Sequence, residues 1–75
     1  LMASVPRDLS GQQVRRALEK AGFTFRRQRG SHMVLRRNEP AARVVVPDHT
    51  TVRVGTLRQI IHDAGLSVDE FVDLL

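Results

Sequence analysis

The sequence predicts an α+β fold, an α-β-β-β-α two-layer sandwich with a short extra C-terminal helix. Three observations predict it. Apolar residues recur at helical spacing towards both ends of the chain, they alternate with period two in between, and turn residues mark each change. Strands joined by short turns pair antiparallel, and such a sheet buries one face beneath helices. At 75 residues the chain has room for one domain, expected over residues 2–75. A chain this short buries only about 60% of the surface its unfolded form exposes, so the core is thin. With no cysteine, neither a disulfide nor a thiolate zinc site can reinforce it. Capped, regular secondary structure must therefore supply much of the stability.

Residues 2–8 show no periodicity and read as a loose arm; Leu1, ahead of Met2, is set aside as a leftover of expression. The first helix is announced by Ser10, with Gln13 three residues on completing a capping box. Leu9 and Val14 are placed to form a hydrophobic staple across that cap, and Ala17, Leu18 and Ala21 extend the stripe. Gly22 is a left-handed stop, so the helix is expected over 11–21. From Phe23 the period becomes two: Phe23 and Phe25 point one way, Thr24 and Arg26 the other. Gly30-Ser31 is a tight turn into a second strand over 32–37, where Met33 and Leu35 alternate with His32, Val34 and Arg36. Asn38-Glu39-Pro40 turns the chain into a third strand, Arg43 to Val46, ended by Pro47.

Residues 48–54 read as a loop. Leu57, Ile60, Ile61 and Ala64 then form a helical stripe stopped by Gly65. The same helix is expected to open at Gly55-Thr56, with Gly55 or Thr56 as its cap and Arg58 in its first turn; such an N-terminus also suits a phosphate. Ser67 with Glu70 is a second capping box and Leu66 with Phe71 a second staple, giving a final helix over 68–74. The face of the sheet away from the helices is then left to Thr24, Arg26, Gln28 and His32, with Arg36 nearby.

The charge is informative in its distribution. Of 12 basic residues only Lys20 is lysine, and arginine presents a fork of donors that matches phosphate oxygens. All of them lie between Arg7 and Arg58, opposed by Asp8, Glu19, Glu39 and Asp48. Beyond them Asp63, Asp69, Glu70 and Asp73 stand without a base. A basic body with an acidic tail suits a polyanionic partner, nucleic acid before membrane; a solvated arginine-rich surface is the plain alternative. No apolar run approaches the length of a membrane span and no signal peptide is visible, so a soluble cytoplasmic protein is expected.

No Walker-type loop, nucleophile elbow or paired carboxylate is present, and the histidines lack metal-ligand spacing, so no cofactor or metal is expected. His32 stands out by its setting, directly after Gly30-Ser31 and among Arg26, Arg27, Arg29, Arg36 and Arg37. Imidazole changes charge near neutral pH and can take a proton from a hydroxyl. RNA carries its own nucleophile, the 2′-hydroxyl, so its cleavage needs a base, cations for the phosphate and a rigid support. By spacing alone, a histidine beside a turn is more often an ordinary half-exposed residue than a catalyst. His49, after Val46-Pro47-Asp48, suits either holding its loop or touching phosphate, and His62 near a helix end reads as structural.

The ordered pieces carry a resemblance. Ala21-Gly22-Phe23, Gly30-Ser31-His32, Val46-Pro47-Asp48-His49, Gly55 to Ile61, Ala64 to Ser67 and Glu70-Phe71 together resemble the HicA toxins of HicA/HicB toxin–antitoxin pairs. The resemblance implies a fold like the double-stranded-RNA-binding domain, metal-independent cleavage of messenger RNA, and inhibition by a HicB-type antitoxin. It also implies that the histidine of the Gly-Ser-His triplet, His32, is catalytic. Candidate RNA contacts beside it are Arg26, Arg27, Arg29, Ser31, Arg36 and His49. The alternative is a non-catalytic module that binds double-stranded RNA by its shape. Phe71 and Val72, if exposed, could serve the antitoxin contact or a homo-oligomer; otherwise they pack on the chain's own core.

Overall fold

A computed structural model describes residues 4–75 and gives the order α1 (Gly11–Lys20), β1 (Thr24–Arg29), β2 (His32–Asn38), β3 (Ala41–Pro47), α2 (Val54–Asp63) and α3 (Val68–Asp73). This is the expected α-β-β-β-α plus a short helix. Met2 and Ala3, part of the expected arm and of the expected domain, lie outside the described residues. The rest of the arm is irregular but not loose throughout, because Val5 packs against the core.

Local chemistry sets the helix ends. The Ser10 hydroxyl accepts from the Gln13 N–H at 3.1 Å while the Ser10 N–H donates to Gln13 Oε1 at 2.8 Å. Ser67 and Glu70 repeat this reciprocal pairing at 3.0 and 2.8 Å. Each box satisfies two N-terminal groups that a helix otherwise leaves unpaired. Gly22 and Gly65 follow the C-caps of α1 and α2 with φ of 95° and 74°, a left-handed turn that costs a side-chain-bearing residue about 1–2 kcal/mol.

The three strands form one antiparallel sheet in the order β1-β2-β3. Met33, Leu35, Val44 and Val46 alternate onto one face and are sealed by Val14, Ala17 and Leu18 of α1, Leu57, Ile60 and Ile61 of α2 and Phe71 of α3. Burying each of the larger side chains contributes roughly 1.5–3 kcal/mol, so this one cluster dominates the stability. Phe71 is fully buried, which leaves it to the chain's own core and not to a partner; Val72 is half-buried.

Two departures from the sequence reading bear on the site; β3 also runs longer than expected, from Ala41 to Pro47 and not only from Arg43 to Val46. β1 runs on to Arg29, and its pairing with β2 slips between Phe25 and Arg27: Phe25 faces Leu35, but Arg27 faces Val34. A bulge adds one residue to one strand and so reverses the alternation beyond it. Arg27 and Arg29 thereby join Thr24 on the outer face, while Gln28 pairs with Met33 and moves to the helix side, contrary to expectation. The second departure is α2, which starts at Val54 with Arg53 at its N-cap and no side-chain cap hydrogen bond.

One arginine works for the fold. Arg37 donates to the carbonyls of Pro40 at 2.9 Å and Ala64 at 3.0 Å, reaches the Ala21 carbonyl at 3.5 Å, and stacks 4.6 Å over the Phe23 ring. It neutralises unpaired carbonyls at the ends of both long helices and ties them to the β2–β3 turn.

Candidate active site

The outer face of the sheet is built by strand alternation. Along β2 it shows His32, Val34 and Arg36; opposite these stand Arg29, Arg27 and Thr24 of β1, and Pro47, Val45 and Arg43 of β3. Val34 is buried at the centre, and the arginines around it are exposed. Arg26, Arg27, Arg36 and Arg43 enclose an open hollow of about 320 Å³ with Val34 as its floor. The bulge explains why adjacent Arg26 and Arg27 both reach it, since the extra residue leaves both on one side of the strand. Arg26, Arg27, Arg29 and Arg36 are therefore all placed on the outer side of the sheet. Arg37 is not, being held among the helix ends.

His32 lies at the other end of this face, ~13 Å along β2 from Arg36 at the usual rise per residue. It helps to line a second open cleft of about 460 Å³, together with Val45, Pro47, His49, Thr51, Arg53 and Thr56. The ladder carries the chain into this arrangement. His32 pairs with Pro47, and the Asp48 N–H donates to the Ser31 carbonyl at 2.6 Å, which prolongs the pairing by one residue. Alternation then turns Asp48 to the helix side and returns His49 to the side of His32. The Asp48 carboxylate confirms its side: it accepts from Gln12 of α1 and Gln28 of β1, each at 3.2 Å.

The loop bearing His49 is fastened along its length. The His49 carbonyl accepts from the Gly11 N–H at 2.9 Å, and the Val52 N–H donates to the Leu9 carbonyl at 2.7 Å. The backbone of His49 is thus fixed, while its side chain and that of His32 stay exposed. Ser31 is exposed in the turn, with its carbonyl used by the ladder.

Sequence reasoning marked His32, His49 and the β1 arginines but missed Arg43, Arg53 and Thr51. Arg43 carried a usable signal, its parity with Val45 in a strand whose partner was known. The place of Arg53 follows from the early start of α2, which no capping residue advertises. Thr56, at that helix start, does line the cleft; Arg58 does not. His62 stands apart on the last turn of α2, largely exposed, with Nδ1 3.5 Å from an Asp63 carboxylate oxygen.

Chemically, the two hollows offer exposed guanidinium groups for phosphates and two imidazoles for proton transfer, and no acidic residue lines either. No group of three or more His, Cys, Asp or Glu is placed to hold a metal ion among the described residues. Nor is any helix among them long and apolar enough to cross a membrane. In comparison with known proteins, a family model described as the HicA toxin of bacterial toxin–antitoxin matches residues 11–66. That span runs from the start of α1 past the end of α2 and holds every residue lining both hollows. No curated protein matches the chain.

Proposed function

The chain belongs to the HicA toxin family and is the toxin of a toxin–antitoxin pair; from that premise we propose that it acts by cutting messenger RNA, with His32 as its catalytic base and without a metal. The observation that carries this is the placement of His32: exposed, in a cleft at one end of a sheet face whose other end is an arginine hollow. RNA crossing the face would set one phosphate among Arg26, Arg27, Arg36 and Arg43 and bring a 2′-hydroxyl further along the same strand to His32. Arg29, opposite His32 on β1, and exposed Ser31 are near enough to contact the same strand. His32 takes the 2′-proton, and the 2′-oxygen attacks the adjacent phosphorus. Arg29, paired with His32 across the ladder, and Arg53 in the same cleft stand nearest that phosphate and stabilise the charge that develops there, while the more distant hollow holds the strand.

The antitoxin is proposed to be of the HicB type, inhibiting by covering the cleft. An acidic surface would complement the arginine face, and physical occlusion of His32 would be enough.

The test compares the parent chain with His32→Ala on messenger RNA in EDTA. The parent is expected to cut and the variant to bind RNA without cutting. Equal cutting by both removes His32 from the chemistry, and a requirement for added metal removes the mechanism. Binding without cutting by the parent would turn the reading to the non-catalytic module.

A further inference from the structure

We propose that His49 is the second proton-transfer residue of this site, giving its proton to the 5′-oxygen that leaves as His32 removes the proton from the 2′-hydroxyl. The inference rests on the ribonuclease reading and names the group that reading lacks. Cleavage of this kind forms a bond from the 2′-oxygen to phosphorus and breaks the bond from phosphorus to the 5′-oxygen. A 2′,3′-cyclic phosphate and a 5′-hydroxyl result. One proton must leave and another must arrive, and an alkoxide departing without its proton is a poor leaving group. After each turnover the two imidazoles exchange protons with water and return to their starting states.

Three observations point to His49. First, it lines the same cleft as His32, across Pro47, because the ladder places His32 opposite Pro47 and alternation returns His49 to that side. Second, among the described residues lining this cleft the only titratable or charged ones are His32, His49 and Arg53. A guanidinium stays ionised and is a very weak acid, and the hydroxyls of Thr51 and Thr56 hold their protons more tightly still; with His32 serving as the base, the imidazole of His49 is the remaining group of this cleft suited to donate a proton. Third, its backbone is anchored through the Gly11 N–H while its ring is exposed, with no hydrogen bond committing it elsewhere. A residue that merely held its loop would have its side chain turned inward. In this loop Asp48 has its side chain committed in that way, on the helix side of the sheet and bonded to Gln12 and Gln28.

A leaving group that needs no proton separates this role from simple binding. Two RNA oligonucleotides are compared, one natural and one carrying a bridging sulfur in place of the 5′-oxygen at the mapped cleavage site. His49→Ala and His49→Gln are expected to cut the natural RNA roughly 10²- to 10⁴-fold more slowly than the parent. They should cut the sulfur substrate within about tenfold of the parent rate, whereas His32→Ala stays impaired on both. Unchanged far-UV circular dichroism and melting of the exposed-site variants confirm that they fold. Equal losses by the His49 variants on the two substrates would make His49 a binding residue and overturn the proposal, as would no loss on either. Failure of the underlying reading looks different: His32→Ala then cuts natural RNA like the parent.

Discussion

Replacing Gly11 with alanine tests how closely α1 holds the loop that carries His49. Gly11 is the first residue of α1, buried, and its N–H is spent on the His49 carbonyl. A methyl group there would overlap the Pro47 carbonyl oxygen and lie 3.0 Å from the Cα of Asp48. Both obstacles are backbone, so no side chain can swing aside; the loop must move. Overpacking of this kind costs about 1–3 kcal/mol. Losing the hydrogen bond to His49 adds about 1 kcal/mol. Alanine returns at most about 1 kcal/mol in helix propensity. The net is a loss of about 1–3 kcal/mol, which for a domain of this size lowers the melting temperature by roughly 4–8 °C per kcal/mol. Gly55 is the control, because it also sits in a first helical turn but a methyl group there meets nothing within 4 Å. Gly55→Ala is expected to melt at the parent temperature or higher. Thermal melts followed by circular dichroism compare the two. A Gly11→Ala melt equal to or above that of the parent would refute the reasoning, and with it the view that close approach of α1 positions His49.

Two further outcomes follow from the division of labour among the arginines. Arg37→Ala should destabilise by about 2–3 kcal/mol, since charge-assisted hydrogen bonds and a stacked ring are lost together, with Arg37→Lys recovering little because one ammonium cannot reach three carbonyls. RNA affinity measured below the melting transition should stay within about twofold of the parent. Arg36→Ala should do the reverse, leaving the melt unchanged and weakening binding across RNA sequences. The slope of log affinity against log salt should fall by about 0.7 for the one lost phosphate contact, read by fluorescence anisotropy; an unchanged slope would remove Arg36 from the interface.

What could be read from the sequence was what is decided locally. Ser10 with Gln13 and Ser67 with Glu70 announce their helices because a capping box is complete within four residues. Gly22 and Gly65 stop theirs for a reason held in one residue. The bulge in β1 was hidden, because it is settled by what β2 presents across the ladder, and one slipped residue sent Gln28 to the other face. Arg26 to Arg29 likewise show no alternation in hydrophobicity, so the second half of β1 had no signature of its own. His32 could be singled out from its neighbours in the chain. Its sharing of a cleft with His49 could not, since that depends on a pairing of β2 with β3 and on the tether from α1.

The position of β3 at the rim of the sheet has a consequence for the freed toxin in solution. Among the described residues its outer edge has no strand beside it, and it carries the run Val44-Val45-Val46, with Val45 36% exposed. A bare edge of that composition invites a second chain to add itself and begin a growing assembly. Arg43 and Pro47 bracket the run, one by repulsion between like charges and the other by withholding a backbone donor. The guanidinium proposed to meet a phosphate would thus also oppose self-association. A search for weaker toxins by substitution at position 43 would therefore recover insoluble protein alongside inactive protein, and the two must be told apart before either is read as a loss of RNA binding.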